Sequence, residues 1–117
     1  MKISEIKEIL KASVITGDDQ LDKTVIAGGS ADLMDDVLSA IAKNCLLLTG
    51  LMTEHVIRTA QISGVAAVVF VRGKKPDEQI VNLAKSFNLP LLLTRYSLFV
   101  ASGRLYMNGL RGLDGSW

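Results

Sequence analysis

Ala67-Val68-Val69-Phe70-Val71 is an apolar run with no polar residue on either alternating side, and it stops abruptly at Arg72-Gly73-Lys74-Lys75. Two runs of the same character flank it: Cys45-Leu46-Leu47-Leu48, closed by Thr49-Gly50, and Leu91-Leu92-Leu93, closed by Thr94-Arg95. Short continuous apolar segments of this kind read as strands buried on both faces. Between them the spacing becomes helical. Val56, Ile57 and Ala60 follow a start at Thr53, and Ile80, Val81, Ala84 and Phe87 follow the Pro76-Asp77 start signal. Strand, helix, strand, helix, strand predicts a parallel sheet with right-handed crossovers.

Further toward the N-terminus, Leu33, Met34, Val37, Leu38, Ile41 and Ala42 make the broad stripe of a core-facing helix, with Ser30 or Asp32 as its cap. Ile3, Ile6, Ile9 and Leu10 predict a first helix capped at Ser4, while Ser13-Val14-Ile15 and Thr24-Val25-Ile26-Ala27 read as two further strands of open direction. Leu98-Phe99-Val100-Ala101 opens a last short helix ending at Gly103, and residues 104–117 form a glycine-containing tail, either loose or docked on a partner. The expected architecture is a single α/β domain over residues 1–117, a three-layer α/β/α arrangement around a mostly parallel sheet of about five strands.

Hydrophobic residues make up 49% of the 117 residues, enough for a real core. No apolar stretch approaches the ~18–20 residues that cross a bilayer, and Met1-Lys2-Ile3-Ser4-Glu5 enters a charged amphipathic pattern directly, unlike a secretory leader. A cytoplasmic location without a membrane partner is expected. Thirteen Lys and Arg against 12 Asp and Glu leave a formal charge of +1, which argues against a nucleic-acid partner. The single cysteine, Cys45, and the single histidine, His55, exclude an intramolecular disulfide and a Cys/His zinc site. Cys45 reads as a small core hydrophobe and His55 as a surface residue.

In open parallel sheets, ligands bind beyond the carboxyl ends of the strands. Those ends carry Thr49, Gly50, Arg72, Gly73, Lys74, Thr94 and Arg95. If the strands keep sequence order, Arg72 and Arg95 end neighbouring strands, and two guanidinium forks converge with the threonine hydroxyls on an anion such as a nucleotide or a phosphorylated metabolite. The same residues also suit a solvated turn. Gly28-Gly29-Ser30 has the look of a phosphate-cradling turn before a helix, yet Asp32, Asp35 and Asp36 repel a phosphate there, and capping with tight packing is the expected role. A Mg²⁺ held by those three aspartates is a lesser alternative. Neither a G-x-x-x-x-G-K-[ST] loop nor a nucleophile paired with a base is present, so no enzyme activity and no cofactor are expected.

The order of Ala31-Asp32-Leu33-Met34-Asp35-Asp36-Val37-Leu38, Leu47-Leu48-Thr49-Gly50-Leu51, Val56-Ile57-Arg58-Thr59-Ala60, Val69-Phe70-Val71-Arg72-Gly73-Lys74, Leu89-Pro90-Leu91-Leu92-Leu93-Thr94 and Gly103-Arg104-Leu105-Tyr106 resembles a stand-alone DRTGG domain. The resemblance implies a fold like the N-terminal domain of HPr kinase and a domain of Mur ligases. It also implies a regulatory or interaction module, often homodimeric, without kinase activity. Adenine-nucleotide sensing is borrowed from pyrophosphatases that carry such a domain in their regulatory regions. The chain departs from the naming residues: Leu51-Met52 stands where Asp-Arg would follow Gly50, and Val71-Arg72-Gly73 where Thr-Gly-Gly would end the next strand. Apolar residues in that loop favour a contact surface. The expected function is therefore a homodimeric regulatory or protein-interaction domain, with Leu51, Met52, Tyr106, Leu110 and Trp117 as contacts to a second copy or another regulatory protein. The alternative is a sensor of an adenine nucleotide or phosphorylated metabolite at the strand ends.

Overall fold

In the computed structural model, which describes residues 1–33 and 42–113, the strands are β1 (Ser13–Thr16), β2 (Gly28–Ser30), β3 (Leu46–Thr49), β4 (Ala67–Phe70) and β5 (Leu91–Leu93). They form one sheet in the order β1-β5-β4-β3-β2. β2 through β5 are parallel, and β1 joins the outer side of β5 antiparallel. Among the described residues four α-helices accompany them: α1 (Ile3–Leu10), α2 (Glu54–Ser63), α3 (Glu78–Ser86) and α4 (Leu98–Met107).

The alternation of side chains along each strand divides the core into two layers. Leu47, Val68, Phe70, Leu91 and Leu93 pack with Val56, Ile57 and Ala60 of α2 and with Ile80 and Ala84 of α3. Leu46, Leu48, Val69 and Leu92 point the other way, onto Ile3, Ile6 and Leu10 of α1 and Ala101 and Leu105 of α4. This is the three-layer arrangement expected from the apolar runs. Parallel strands that advance in one direction through right-handed crossovers place successive helices on the same face, which is why α2 and α3 share a layer.

Local signals explain the helix ends. Thr53 Oγ1 accepts the Val56 N–H at 3.3 Å and starts α2, and Gly64 closes it in the left-handed conformation. Ser97 Oγ accepts the Val100 N–H at 3.2 Å and starts α4. At α1 the cap differs from expectation: the Glu5 carboxylate accepts the Lys2 N–H at 3.0 Å, while the Ser4 N–H is already donated to the Leu21 carbonyl at 2.9 Å.

Four expectations are corrected. Gly28-Gly29-Ser30 is strand β2 rather than a turn before a helix, and Thr24 makes only an isolated bridge to Lys2. Gly28 lies so close to the Leu110 side chain that a Cβ would stand 2.8 Å from it, and its N–H donates to the Arg111 carbonyl at 3.0 Å. Residues beyond α4 therefore dock on β2 of their own domain. Finally, α4 runs through Gly103 to Met107, because Ala101 and Leu105 anchor it on either side of the glycine. Most of the helix expected from Leu33 to Ala42 lies outside the described residues, as do Asp35, Asp36 and Trp117.

Phe70 is the largest fully buried side chain in the central strand. Phe70→Ala is expected to lower the free energy of unfolding by about 3–5 kcal/mol. Urea denaturation measures this directly, and a loss below about 1 kcal/mol would contradict such close packing of the ring.

Candidate functional site

β4 and β5 are neighbours and parallel, but the chain leaves them in opposite directions. After β4 it passes to α3 on one face, and after β5 to α4 on the other. Loops that diverge in this way open a crevice at the strand ends. A cavity of about 500 Å³ lies there, lined by Gly73 and Lys75 from the β4–α3 loop, Thr94, Arg95 and Tyr96 from the β5–α4 loop, Lys11 from the end of α1 and Ser13 from the start of β1. That volume suits a cofactor-sized ligand.

The walls are tied together at their base. Arg72 donates its N–H to the Tyr96 carbonyl and Gly73 donates to the Thr94 carbonyl, both at 2.8 Å. The Thr94 hydroxyl, 1% exposed, donates to the Leu10 carbonyl at 2.7 Å and accepts the Tyr96 N–H at 3.3 Å. Both of its roles are structural, and the first fixes the end of α1, hence Lys11, against the end of β5. Tyr96 carries the Arg104 guanidinium over its ring, 4.3 Å from the centroid.

Lys11, Lys75 and Arg95 give the crevice three cations, and among the described lining residues there is no carboxylate. Among the described residues, no salt bridge engages Lys11, Lys75 or Arg95. Backbone conformation marks the same region. Of the four described non-glycine residues with positive φ, Asn44 and Asn88 belong to a type that tolerates it. The other two are Lys11 (φ 49°) and Arg72 (φ 66°), for which the left-handed region is strained.

The strand-end residues expected to form one site divide between two places. Gly73, Thr94 and Arg95 line the crevice. Arg72 instead lies over Gly50, where a Cβ would collide with its guanidinium. Gly50 and Lys74 line a separate depression of about 280 Å³ with Leu51, Met52 and Asp77, and Lys75 borders both spaces. Thr49 is buried. Its hydroxyl donates to Asp32 Oδ1 at 3.1 Å, and the Gly50 N–H donates to the same oxygen at 2.8 Å, so Asp32 organises this turn. Of the expected contact residues, Leu51 and Tyr106 are exposed, Met52 packs partly on the α2–α3 core, and Leu110 is only 7% exposed, covered by its own domain. Sequence reasoning missed Lys11 and Tyr96. Lys11 could be associated with Arg95 only once β1 was known to run antiparallel beside β5.

The DRTGG domain family model matches residues 5–107. No curated protein matches the chain. Among solved structures, the chain is similar to the CBS and DRTGG domains of the regulatory region of Clostridium perfringens pyrophosphatase, complexed with its activator diadenosine tetraphosphate. The TM-score is 0.75 and the identity 17%, over 89% of this chain and 45% of that one, so the chain spans less than half of the structure it resembles.

The strain at Lys11 can be measured. Glycine takes the left-handed conformation without a Cβ penalty but costs more chain entropy, so Lys11→Gly is expected to stabilise the domain by no more than about 1 kcal/mol. Urea unfolding showing a clear loss of stability would mean that the Lys11 side chain supports the fold.

Proposed function

The chain belongs to the DRTGG domain family, and from that premise we propose that it is a non-catalytic regulatory domain that senses a phosphate-bearing small molecule in the crevice between β4 and β5. The observation that carries this reading is the lining: Lys11, Lys75 and Arg95 all line one crevice at a topological switch point, with no carboxylate among the described lining residues. The same described lining contains no His, Asp, Glu or Cys, and its charged side chains are all cations of the kind that hold an anion. The Clostridium perfringens region is regulatory and holds an adenine dinucleotide, which makes adenine nucleotides the first class to test.

A ligand bound only by the native state raises the unfolding midpoint with concentration. ATP and diadenosine tetraphosphate are expected to raise it saturably. Lys11→Ala combined with Arg95→Ala is expected to weaken binding by about tenfold or more while leaving the ligand-free midpoint nearly unchanged, since a hydrogen bond to a charged group contributes roughly 1.5–3 kcal/mol. No shift with any phosphate compound at millimolar concentration would remove the reading.

A second reading, self-association, is favoured by the outer face of α4. Phe99 and Met107 are 88% and 86% exposed, Tyr106 lies beside them, and Gly103 between them has open space around it. Residues 99, 103, 106 and 107 share one side of a helix. Two copies packed through this face would bury an apolar strip, with Gly103 permitting close approach. Sedimentation at tens of micromolar is expected to show a dimer that Phe99→Glu with Met107→Glu converts to a folded monomer. A natural chain that sediments as a monomer ends this reading.

A further inference from the structure

We propose that the crevice recognises a nucleotide as such, with Tyr96 holding the base and the three cations holding the phosphates. This inference rests on the reading that the crevice binds an anion.

Tyr96 is half-buried and lines the cavity beside Arg95. Its backbone is fixed on both sides, the N–H on the Thr94 hydroxyl and the carbonyl on the Arg72 N–H. Its ring is fixed as well, because the Arg104 guanidinium lies 4.3 Å from the centroid. Arg104 belongs to α4 and is not among the residues that line the cavity, and Tyr96 also packs partly on the core layer beneath α1 and α4. The cation draws electron density toward its own side, which favours stacking of an electron-rich ring on the part of the Tyr96 ring that reaches the cavity. A crevice built for inorganic phosphate needs no aromatic wall. This one sets a preorganised ring next to three cations, the two chemistries that match the base and the phosphates of a nucleoside di- or triphosphate.

Base stacking on an aromatic side chain changes affinity by about tenfold or more. Isothermal titration of the full chain at fixed ionic strength with ATP, tripolyphosphate and adenosine separates the contributions. ATP is expected to bind at least about tenfold more tightly than tripolyphosphate, and adenosine more weakly than ATP. Tyr96→Leu is expected to bring ATP down to the level of tripolyphosphate, whereas Tyr96→Phe retains the preference. Arg104→Ala, which leaves Tyr96 in place, is expected to weaken ATP severalfold without affecting tripolyphosphate, so the test stands even where Tyr96→Leu fails to fold. Equal affinities for ATP and tripolyphosphate on the natural chain overturn the role of Tyr96 and leave the anion reading intact. Absence of binding by both overturns the anion reading itself.

Discussion

Burial of β3, β4 and β5 on both faces constrains everything else in the molecule. An unpaired polar group within such a strand costs several times what a satisfied one contributes, so Leu46–Leu48, Ala67–Phe70 and Leu91–Leu93 are apolar throughout. Chemistry can begin only where the chain leaves the layers. Thr49 and Thr94 are the last polar side chains admitted, and each is admitted because its hydroxyl has a partner. Those two hydrogen bonds also organise the loops beyond the strands: Thr49 and Asp32 shape the Gly50 turn, and Thr94 binds the end of α1 to the end of β5.

The divergence of the chain after β4 and β5 turns that constraint into a crevice. Both loops begin from fully buried strands, so their first residues are rigidly placed, and the paired hydrogen bonds from Arg72 and Gly73 to the β5–α4 loop keep the base of the crevice closed. Strain is concentrated here too, at Lys11 and Arg72. Both are long side chains held in the left-handed region, where glycine would fit more comfortably, and Lys11 takes it as the C-cap of α1. For Lys11 that side chain belongs to the lining of the crevice.

The central strands and the helices between them were legible in the sequence because their periodicity is dictated by burial alone. β2 was not, since Gly28-Gly29-Ser30 has no apolar pattern. It is a strand because β3 pairs with it and because Leu110 needs a surface without side chains to dock on. The site was half legible for a related reason. That Arg72 and Arg95 end adjacent strands is implied by sequence order. That Arg72 turns away over Gly50 while Lys11 arrives from α1 depends on backbone conformation and on the direction of β1, and neither is written in residue type.

The crevice and the exposed face of α4 are successive parts of one segment. Tyr96 lines the crevice, Ser97 caps α4, Arg104 reaches back from the second turn to the Tyr96 ring, and Phe99 and Met107 occupy the outer side of the same helix. A ligand can shift an equilibrium only by interacting differently with its two states. Here any ligand that engages the Tyr96 ring acts on the residue that α4 itself holds, so the geometry gives occupancy of the crevice a short route to the placement of that helix. On the proposed reading, in which a ligand enters the crevice and a second copy packs on the outer face of α4, a single helix connects the two places.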